Sequence, residues 1–546
     1  MKIDEKDLDG FASDLVSKCM STRRERIQTY NGFEHYYLFG CQEGESAPYN
    51  KIWPHIDLLT SFLYSQSTVE FEVSVQNEPE PVYEQADLIS RRTDMYYHDY
   101  GVADAFNEAL PLALVFNTEL MKLNWVNGGL EPYIVSPHDF GVLDESVTEL
   151  SRQEAFVHSY SISESELKRR ISMLSNGADL MRRVSVVPTQ EEDAFPDAVN
   201  RLIVAGTVNM TSSTTRGLVN IPDLLGQMVY KPRTIEDKVE MYELWVWDDE
   251  KEDYRTITLA APGVVIYGRK EIGNLFQIKG EQPFVHICPN KLRNYFFGWS
   301  EIAGLIKLQD WATERLREIR NILRKQANPP KALSGWGGIS DEKIGALDNP
   351  GSWISDPTPN AKVEMLSPNM PEDLWQEMLM IQNMFNDESG LSDVLQGKGE
   401  SGVRSKSHAD VLARLGSSRI KKRALAIERT IEDIGSLIVR IMKAKDAHQF
   451  TTKTGEKFIA GQFTDDFQVH VDAHSASPVF VDDHIQLAFA LAKAQAIDPD
   501  SLLELTKPPK VELLRQRFKD MKRQRQAQMQ QMAQLGIVPG GKKKQA

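Results

Sequence analysis

The sequence predicts an α+β protein, and three observations predict it. Between residues 69 and 289 apolar and polar residues repeatedly alternate with the two-residue period of strands. From residue 299 onward the apolar spacing changes to three- and four-residue steps. The helical half is also interrupted once by a short stretch rich in Gly, Pro and Trp. At 546 residues, with 41% hydrophobic and 26% charged, the chain is long enough for about two to four domains with buried cores.

The elements follow in order. Residues 1–66 read as helices: "FASDLVSKCMSTRRERIQTYNGFEHYY" has helical apolar spacing and "KIWPHIDLLTSFLYS" restarts a helix after Pro54. "VEFEVSV" at 69–75 is a strand, and helices fill 80–117. Strands resume from residue 119, with Asn127-Gly128-Gly129 as a hairpin turn. "SESELKRRISML" is a short helix capped by Ser, a polar Ser/Thr-rich passage reaches about 220, and strands run from 239 to about 289. Residues 299–326 lack proline and follow a capping-type Ser300. Their seam is Ile302, Leu305, Ala312, Leu316, Ile319 and Leu323, with Gln309 its polar interruption. Asn328-Pro329-Pro330 stops that helix. A compact insert follows, and a second helix starts at Pro371 with a seam of Leu374, Met378, Ile381 and Phe385. The two helices are natural antiparallel partners that carry the insert outward. After a glycine-bearing loop, a third and longest helix runs from about 404 to 446. These helices keep amphipathic surface beyond one seam, which neighbouring copies of the chain would cover.

Chemistry is mostly excluded. Gly397, Gly399 and Gly402 are spaced G-x-G-x-x-G, yet a dinucleotide fingerprint needs a strand before the glycines, and here a helix precedes. "GKGESGVRSKS" also lacks the Gly-Lys-Ser/Thr ending of a P-loop. His470, Asp472, His474, Asp482, Asp483 and His484 read as a solvated strand and its surroundings in preference to a metal site. Cys288 near His286 reads as a buried thiol, and Cys19, Cys41 and Cys288 form no zinc pattern and suit a reducing compartment. No catalytic, cofactor-binding or metal-binding set emerges. No apolar run approaches the ~20 residues of a membrane span, and the acidic start has no signal-peptide core. The formal charge of −15 argues against a protein that clamps nucleic acid over its whole surface. The local basic excess between Arg404 and Arg423 is compatible with transient nucleic-acid contact and equally with solvated helix faces.

Four stretches, in this order, resemble the portal proteins of tailed bacteriophages. "YNKIWPHIDLLTSFLYSQSTVEFEVSV" resembles that family's N-terminal helix and first strand. "LEPYIVSPHDFGVLDESVTELSRQEAFVHSYSISESEL" resembles its wing segment. "QPFVHICPNKLRNYFFGWSEIAGLIKLQDWATERL" is similar to its entrance to the first stem helix, and "GVRSKSHADVLARLGSSRIKKRALAIERTIEDIGSLI" to its long wing helix. The resemblance spans roughly residues 30–500. It implies a phage portal fold with a mixed α/β wing over 1–298, stem helices at 299–327 and 371–390, and a small α/β clip at 328–370. It further implies a tunnel loop at 391–403, a return to the wing at 404–474, and a helical crown and tail at 475–546. The Gln/Met-rich last helix ends at Gly536, so the extended barrel of the longest members is not expected.

The function implied is a homo-oligomeric ring, a dodecamer in that family, at one capsid vertex. Double-stranded DNA passes through it without sequence specificity during packaging and ejection. The packaging terminase, a tail adaptor and the major capsid or scaffolding protein are the implied partners. No membrane or cofactor is implied, and the location is the virion, with the host cytoplasm during assembly. The competing reading is a helical scaffolding or head-tail adaptor protein without a channel. That reading leaves the β-rich region and the stop-insert-restart pattern unexplained. The implied DNA-facing loop is Gln396, Gly397, Lys398, Gly399, Glu400, Gly402 and Arg404, with the glycines as hinges. The implied stem packing is Leu305, Leu316, Ile319, Leu323, Leu374, Met378 and Ile381. Trp336 and Trp353 of the insert either fill it or supply an interface contact.

Lys398 lies between two glycines, and a ring would repeat it as a band of weak phosphate contacts. Lys398→Ala is expected to assemble normally and to change DNA packaging or retention, more so at low salt. Packaging and retention equal to wild type across a salt series would remove Lys398 from the channel.

Overall fold

The computed structural model describes residues 3–184, 218–221, 227–230, 238–327, 331–334, 362–365, 371–390, 406–471 and 488–494, apart from short breaks within these ranges and a few isolated positions. The chain is a mixed α/β protein. It opens with α1 (Leu8–Cys19), α2 (Arg23–Phe39) and α3 (Ile52–Leu63), followed by β1 (Phe71–Ser74), α4 (Glu80–Asp99) and α5 (Val102–Phe116). Local chemistry explains their ends. The Asp7 side chain accepts from the Gly10 N–H to cap α1, and Gly40 at φ 67° closes α2. Pro54 falls in the first turn of α3, where its missing N–H leaves no helical bond unmade.

Strands dominate the next stretch: β2 (Glu119–Val126), β3 (Gly129–Val135), β4 (Phe140–Val142) and β5 (Ala155–Ser163). Val126 pairs with Gly129 across Asn127 (φ 51°) and Gly128 (φ 84°), both left-handed as a two-residue hairpin turn requires. Helix α6 (Glu164–Ile171) starts at Ser163, whose side chain accepts from the Glu166 N–H, and α7 (Gly177–Arg183) follows. Strands β6 (Leu218–Ile221), β7 (Gln227–Tyr230), β8 (Lys238–Asp248), β9 (Asp253–Ala260), β10 (Val264–Tyr267) and β11 (Phe284–Ile287) complete this half.

The second half holds α8 (Ile306–Ala327), β12 (Lys331–Ser334), β13 (Lys362–Met365), α9 (Asp373–Ser389) and α10 (Lys406–Lys445). It closes with β14 (Gln449–Thr451), β15 (Lys457–Ile459) and β16 (Gln468–Val471). The insert expected between the two helices is closed at its base by the antiparallel pair β12–β13, Lys331 opposite Met365 and Ser334 opposite Lys362. Of the expected crown, the described residues include a short helical piece at 488–493.

Two antiparallel sheets form the β layer, one ordered β10-β9-β8-β5-β4 and one ordered β11-β2-β3. An aromatic cluster joins them: Phe140, Phe156 and Trp245 from the first sheet lie against Phe284 of the second, with centroids 5.6–6.0 Å from it. Beside it Lys122 Nζ on β2 donates to both Glu243 oxygens on β8 at 2.8 Å, and Trp245 Nε1 donates to the same carboxylate. Helix α1 packs its Ala12, Leu15 and Val16 on one face of the five-stranded sheet, among Val157, Leu244 and Ile257.

Helix α10 runs for about 60 Å at 1.5 Å per residue and its second half crosses the main core. Ile420, Ala424, Ile427, Ile431, Ile434, Ile438 and Ile441 recur at alternating four- and three-residue steps, and all are buried. This stripe packs with α3, α4, β1 and β16 in one cluster. β1 pairs with β16, Phe71 opposite Val471, so two segments far apart in the chain meet in one ladder. The other edge of β1 is closed by helix side chains: Asp94 Oδ1 accepts from the Phe71 N–H and Ser90 Oγ from the Val73 N–H, each at 2.8 Å.

Gly435 lets α10 sit against this ladder. A Cβ there would stand 2.5 Å from the Phe71 ring and 3.0 Å from Val469 Cγ1. Helix propensity alone would favour alanine by up to about 1 kcal/mol, while overpacking a closed core costs about 1–3 kcal/mol. The ring of Phe71 is buried and has nowhere to move, so the steric cost wins. Gly435→Ala is expected to lower stability by about 1–2 kcal/mol, read as a lower urea midpoint at unchanged slope. A stabilised variant would show that α10 and β1 are not in this contact.

Candidate functional site

The candidate site is the hairpin of α8 and α9, with the residues that root it in the main core. The helix expected from residue 299 begins at Ile306, because the preceding residues are committed to α5. Ser300 Oγ donates to the Val115 carbonyl and the Glu301 N–H to the Leu114 carbonyl, so residues 301–305 turn before the helix starts. Ile302 and Leu305 consequently belong to the main core and not to the hairpin seam.

Glu301 is the centre of the root. Its Oε1 lies 2.6 Å from an Arg423 guanidinium nitrogen on α10, its Oε2 accepts from Asn290 Nδ2 at 2.9 Å, and His55 of α3 stands 3.9 Å away. The Glu301 side chain is 5% exposed and that of Arg423 15%, so this pair is removed from water. Burial alone would raise the Glu301 carboxyl. His55, the Arg423 charge and the Asn290 hydrogen bond outweigh it and hold the carboxyl below its ordinary value of 4.5.

Gln309, read from the sequence as an interruption of the seam, is a second anchor. It is fully buried, its amide donates to the Tyr49 carbonyl at 2.7 Å and to Thr313 Oγ1 at 3.2 Å, and its oxygen accepts from the Lys51 N–H. Tyr36 of α2 donates to Asp310 at 2.8 Å. On the other arm, Phe385 of α9 is buried beneath the edge-on His55 ring and the Lys51 ammonium. Both arms of the hairpin are therefore rooted in α2, α3 and α10.

Beyond the root the hairpin packs on itself. Ala312 and Ile319 of α8 meet Met378 and Ile381 of α9, all buried, with Leu316, Leu374 and Trp311 half-buried beside them. Glu377 ties the helices by accepting from Trp311 Nε1 at 2.9 Å and from Arg315 Nε at 3.0 Å. Leu323, expected in this seam, is 48% exposed. The helices run antiparallel with Glu377 level with 311–315, so Leu323 lies beyond the start of α9 at Asp373 and has no helix beside it among the described residues.

Helix α9 is apolar around most of its circumference. Trp375, Leu379, Met380 and Met384 are 54%, 61%, 46% and 42% exposed. At 100° per residue they fall on the two flanks of the buried Met378–Ile381–Phe385 face, Trp375 and Leu379 on one and Met380 and Met384 on the other. The sequence signal was present in "LWQEMLMIQNMF", which has more apolar residues than a single seam uses.

The remaining sequence expectations divide simply. Gln396, Gly397, Lys398, Gly399, Glu400, Gly402 and Arg404 lie outside the described residues, as do Trp336 and Trp353. The glycine-bearing stretch lies in the chain between two helices, α9 ending at Ser389 and α10 starting at Lys406. Cys288 is buried, its thiol pushed up to about 11 by burial, with Asn117 Nδ2 at 3.3 Å. His286 is held down to about 3 by burial and by Lys291, and stacks on Phe296 at 4.2 Å. His470 is exposed on β16, 3.8 Å from Glu432, while Asp472, His474, Asp482, Asp483 and His484 lie outside the described residues. Among the described residues no cluster of three or more His, Cys, Asp or Glu is placed to hold a metal, and no helix is long and apolar enough to cross a membrane. Compared with known proteins, the chain matches no protein-family model and no curated protein.

Glu301→Gln leaves Arg423 as an uncompensated buried cation, which costs about 3 kcal/mol at neutral pH. A carboxyl held low in the fold adds stability above its ordinary value and loses it as pH falls through the lower folded value. The gap between wild type and Glu301→Gln in urea midpoint is therefore expected to be full at pH 7 and to shrink as pH drops below 4.5. A gap independent of pH would mean that the carboxylate charge is not what holds the root.

Proposed function

We propose that this chain is a portal subunit: copies associate head to tail into a ring, and double-stranded DNA passes along the axis during packaging and ejection. The observation that carries this reading is the rooted α8–α9 hairpin, which leaves the core with apolar side chains exposed on both flanks of α9. Single exposed apolar residues are ordinary, but four on one 17-residue helix that already buries a seam need cover. Different surfaces on the two sides of one hairpin suit a heterologous contact, which closes into a ring when the rotation allows.

The element order supports the same reading. A wing of helices and two sheets is interrupted by an antiparallel hairpin that carries an insert at its far end, and the chain then returns to the same core through a 40-residue helix. The insert at 328–370, closed by β12–β13, is the surface proposed for the packaging ATPase and later the tail adaptor. Residues 391–403, between α9 and α10 in the chain, are the part proposed to meet DNA. A formal charge of −15 per subunit gives a ring that repels phosphates over most of its surface, so duplex slides without a general grip.

Purified protein at micromolar concentration is expected to show rings with an axial hole in negative stain and a matching ring mass under native conditions. A chain that stays monomeric at every salt concentration tested would sink the proposal.

A further inference from the structure

The two helices of the hairpin are sorted by charge. Within α8 there are Lys307, Arg315, Arg317, Arg320, Arg324 and Lys325 against three acids, whereas α9 carries Asp373, Glu377, Asp387 and Glu388 and no Lys or Arg. The sorting persists on the outward surfaces. Ala312 and Ile319 mark the side of α8 that faces α9, and at 100° per residue Arg320 falls on its flank and Arg317 and Arg324 on the side turned away from it. Arg320 and Arg324 are exposed and have no ion-pair partner among the described residues. On α9, Asp373 is exposed and likewise has no ion-pair partner among the described residues, and at 100° per residue it falls on the flank of the exposed Met380 and Met384.

Resting on the ring reading above, we infer that the outward arginine face of α8 in one copy docks on the outward acidic and apolar face of α9 in the next, with Arg320 paired to Asp373. Height along the hairpin supports this pairing. Glu377 is level with residues 311–315, and the Glu388 carboxylate lies against Gly304, so Asp373 stands within about one helical turn of Arg320. Copies related by rotation about a ring axis keep the same height, so α8 of one subunit meets α9 of its neighbour in that same antiparallel alignment. The occupant is fixed by complementarity. An arginine carries its charge on an apolar arm, which suits a flank where the exposed Met380 and Met384 accompany a carboxylate. Contact between two α8 faces would set arginine against arginine, and contact between two α9 faces would leave Asp373 facing its own copy, so the charges select the head-to-tail arrangement over a two-fold one.

The test uses the full chain and two single variants, Arg320→Glu and Asp373→Lys, with ring formation measured by native mass and negative stain. Each variant alone places like charges at every interface and is expected to associate about tenfold more weakly per contact than wild type, with the wild-type contact itself weakening as salt rises. Mixed in equal amounts the two variants can alternate around the ring. The acid introduced at position 320 of one then meets the base introduced at position 373 of the other, and at the next interface the native Arg320 meets the native Asp373. Rings are expected to return in this mixture. Thermal unfolding of each variant checks that the monomer is intact, and Arg320→Gln, which removes the charge without reversing it, replaces Arg320→Glu if that variant does not fold. Variants that form rings as readily as wild type overturn the charge pairing and leave the ring reading standing. Folded variants that fail alone and fail as a mixture overturn the head-to-tail pairing. A wild-type chain that never forms rings overturns both.

Discussion

The structure depends on the buried pair of Glu301 and Arg423. Glu301 stands where the chain leaves the β-rich half for the hairpin, and Arg423 lies on α10, which brings the chain back to the core after the hairpin. Two charges taken out of water hold together by their mutual attraction and added hydrogen bonds, and Arg423 gives one guanidinium nitrogen to Glu301 while its Nε and Nη1 have no partner among the described residues. Asn290 and His55 supply the remaining contacts of the carboxylate. The pair therefore ties the exit and the return of the chain to one point. If either charge is lost, the other remains buried, so the geometry is specified as well as stabilised.

From that point the hairpin has the properties of an arm held firmly at its base. Gln309, Asp310 and Phe385 bind both helices to α2 and α3 through hydrogen bonds and ring contacts. Farther out, the seam of Ala312, Ile319, Met378 and Ile381 is narrow, and the helices leave much of their circumference uncovered. A two-helix arm has too little interior to bury apolar residues on every side, so those on its flanks are available to another surface. The contrast is between a base bonded into the core and an arm whose flanks stay uncovered.

Much of this was legible in the sequence, for a local reason. The Asn127-Gly128 turn, the Ser163 cap of α6, the start of α9 after Pro371 and the span of α10 each depend on residues a few positions apart. Spacing, caps and turn residues act within one or two turns of chain, and these can be read without knowing the fold. The Met378–Ile381–Phe385 face of α9 was legible for the same reason, because side chains three and four apart share a face whatever they pack against.

What the sequence by itself determined was thus the order, type and approximate extent of the elements, together with an excess of apolar residues on α9 beyond one seam. Only the tertiary structure decided which surfaces those elements share. Residues 300–305 look helical by periodicity, yet the bond from Ser300 to Val115 draws them into a turn. Leu323 continues the seam by spacing and is exposed, because its partner helix starts too late along the arm. Gln309 looks like a flaw in an apolar stripe and is the buried amide that locks the arm to residues 49–51. The pairing of Phe71 with Val471 and of Glu301 with Arg423 joins residues far apart in the chain. Such contacts arise from the closing of the whole core, and no local spacing encodes them.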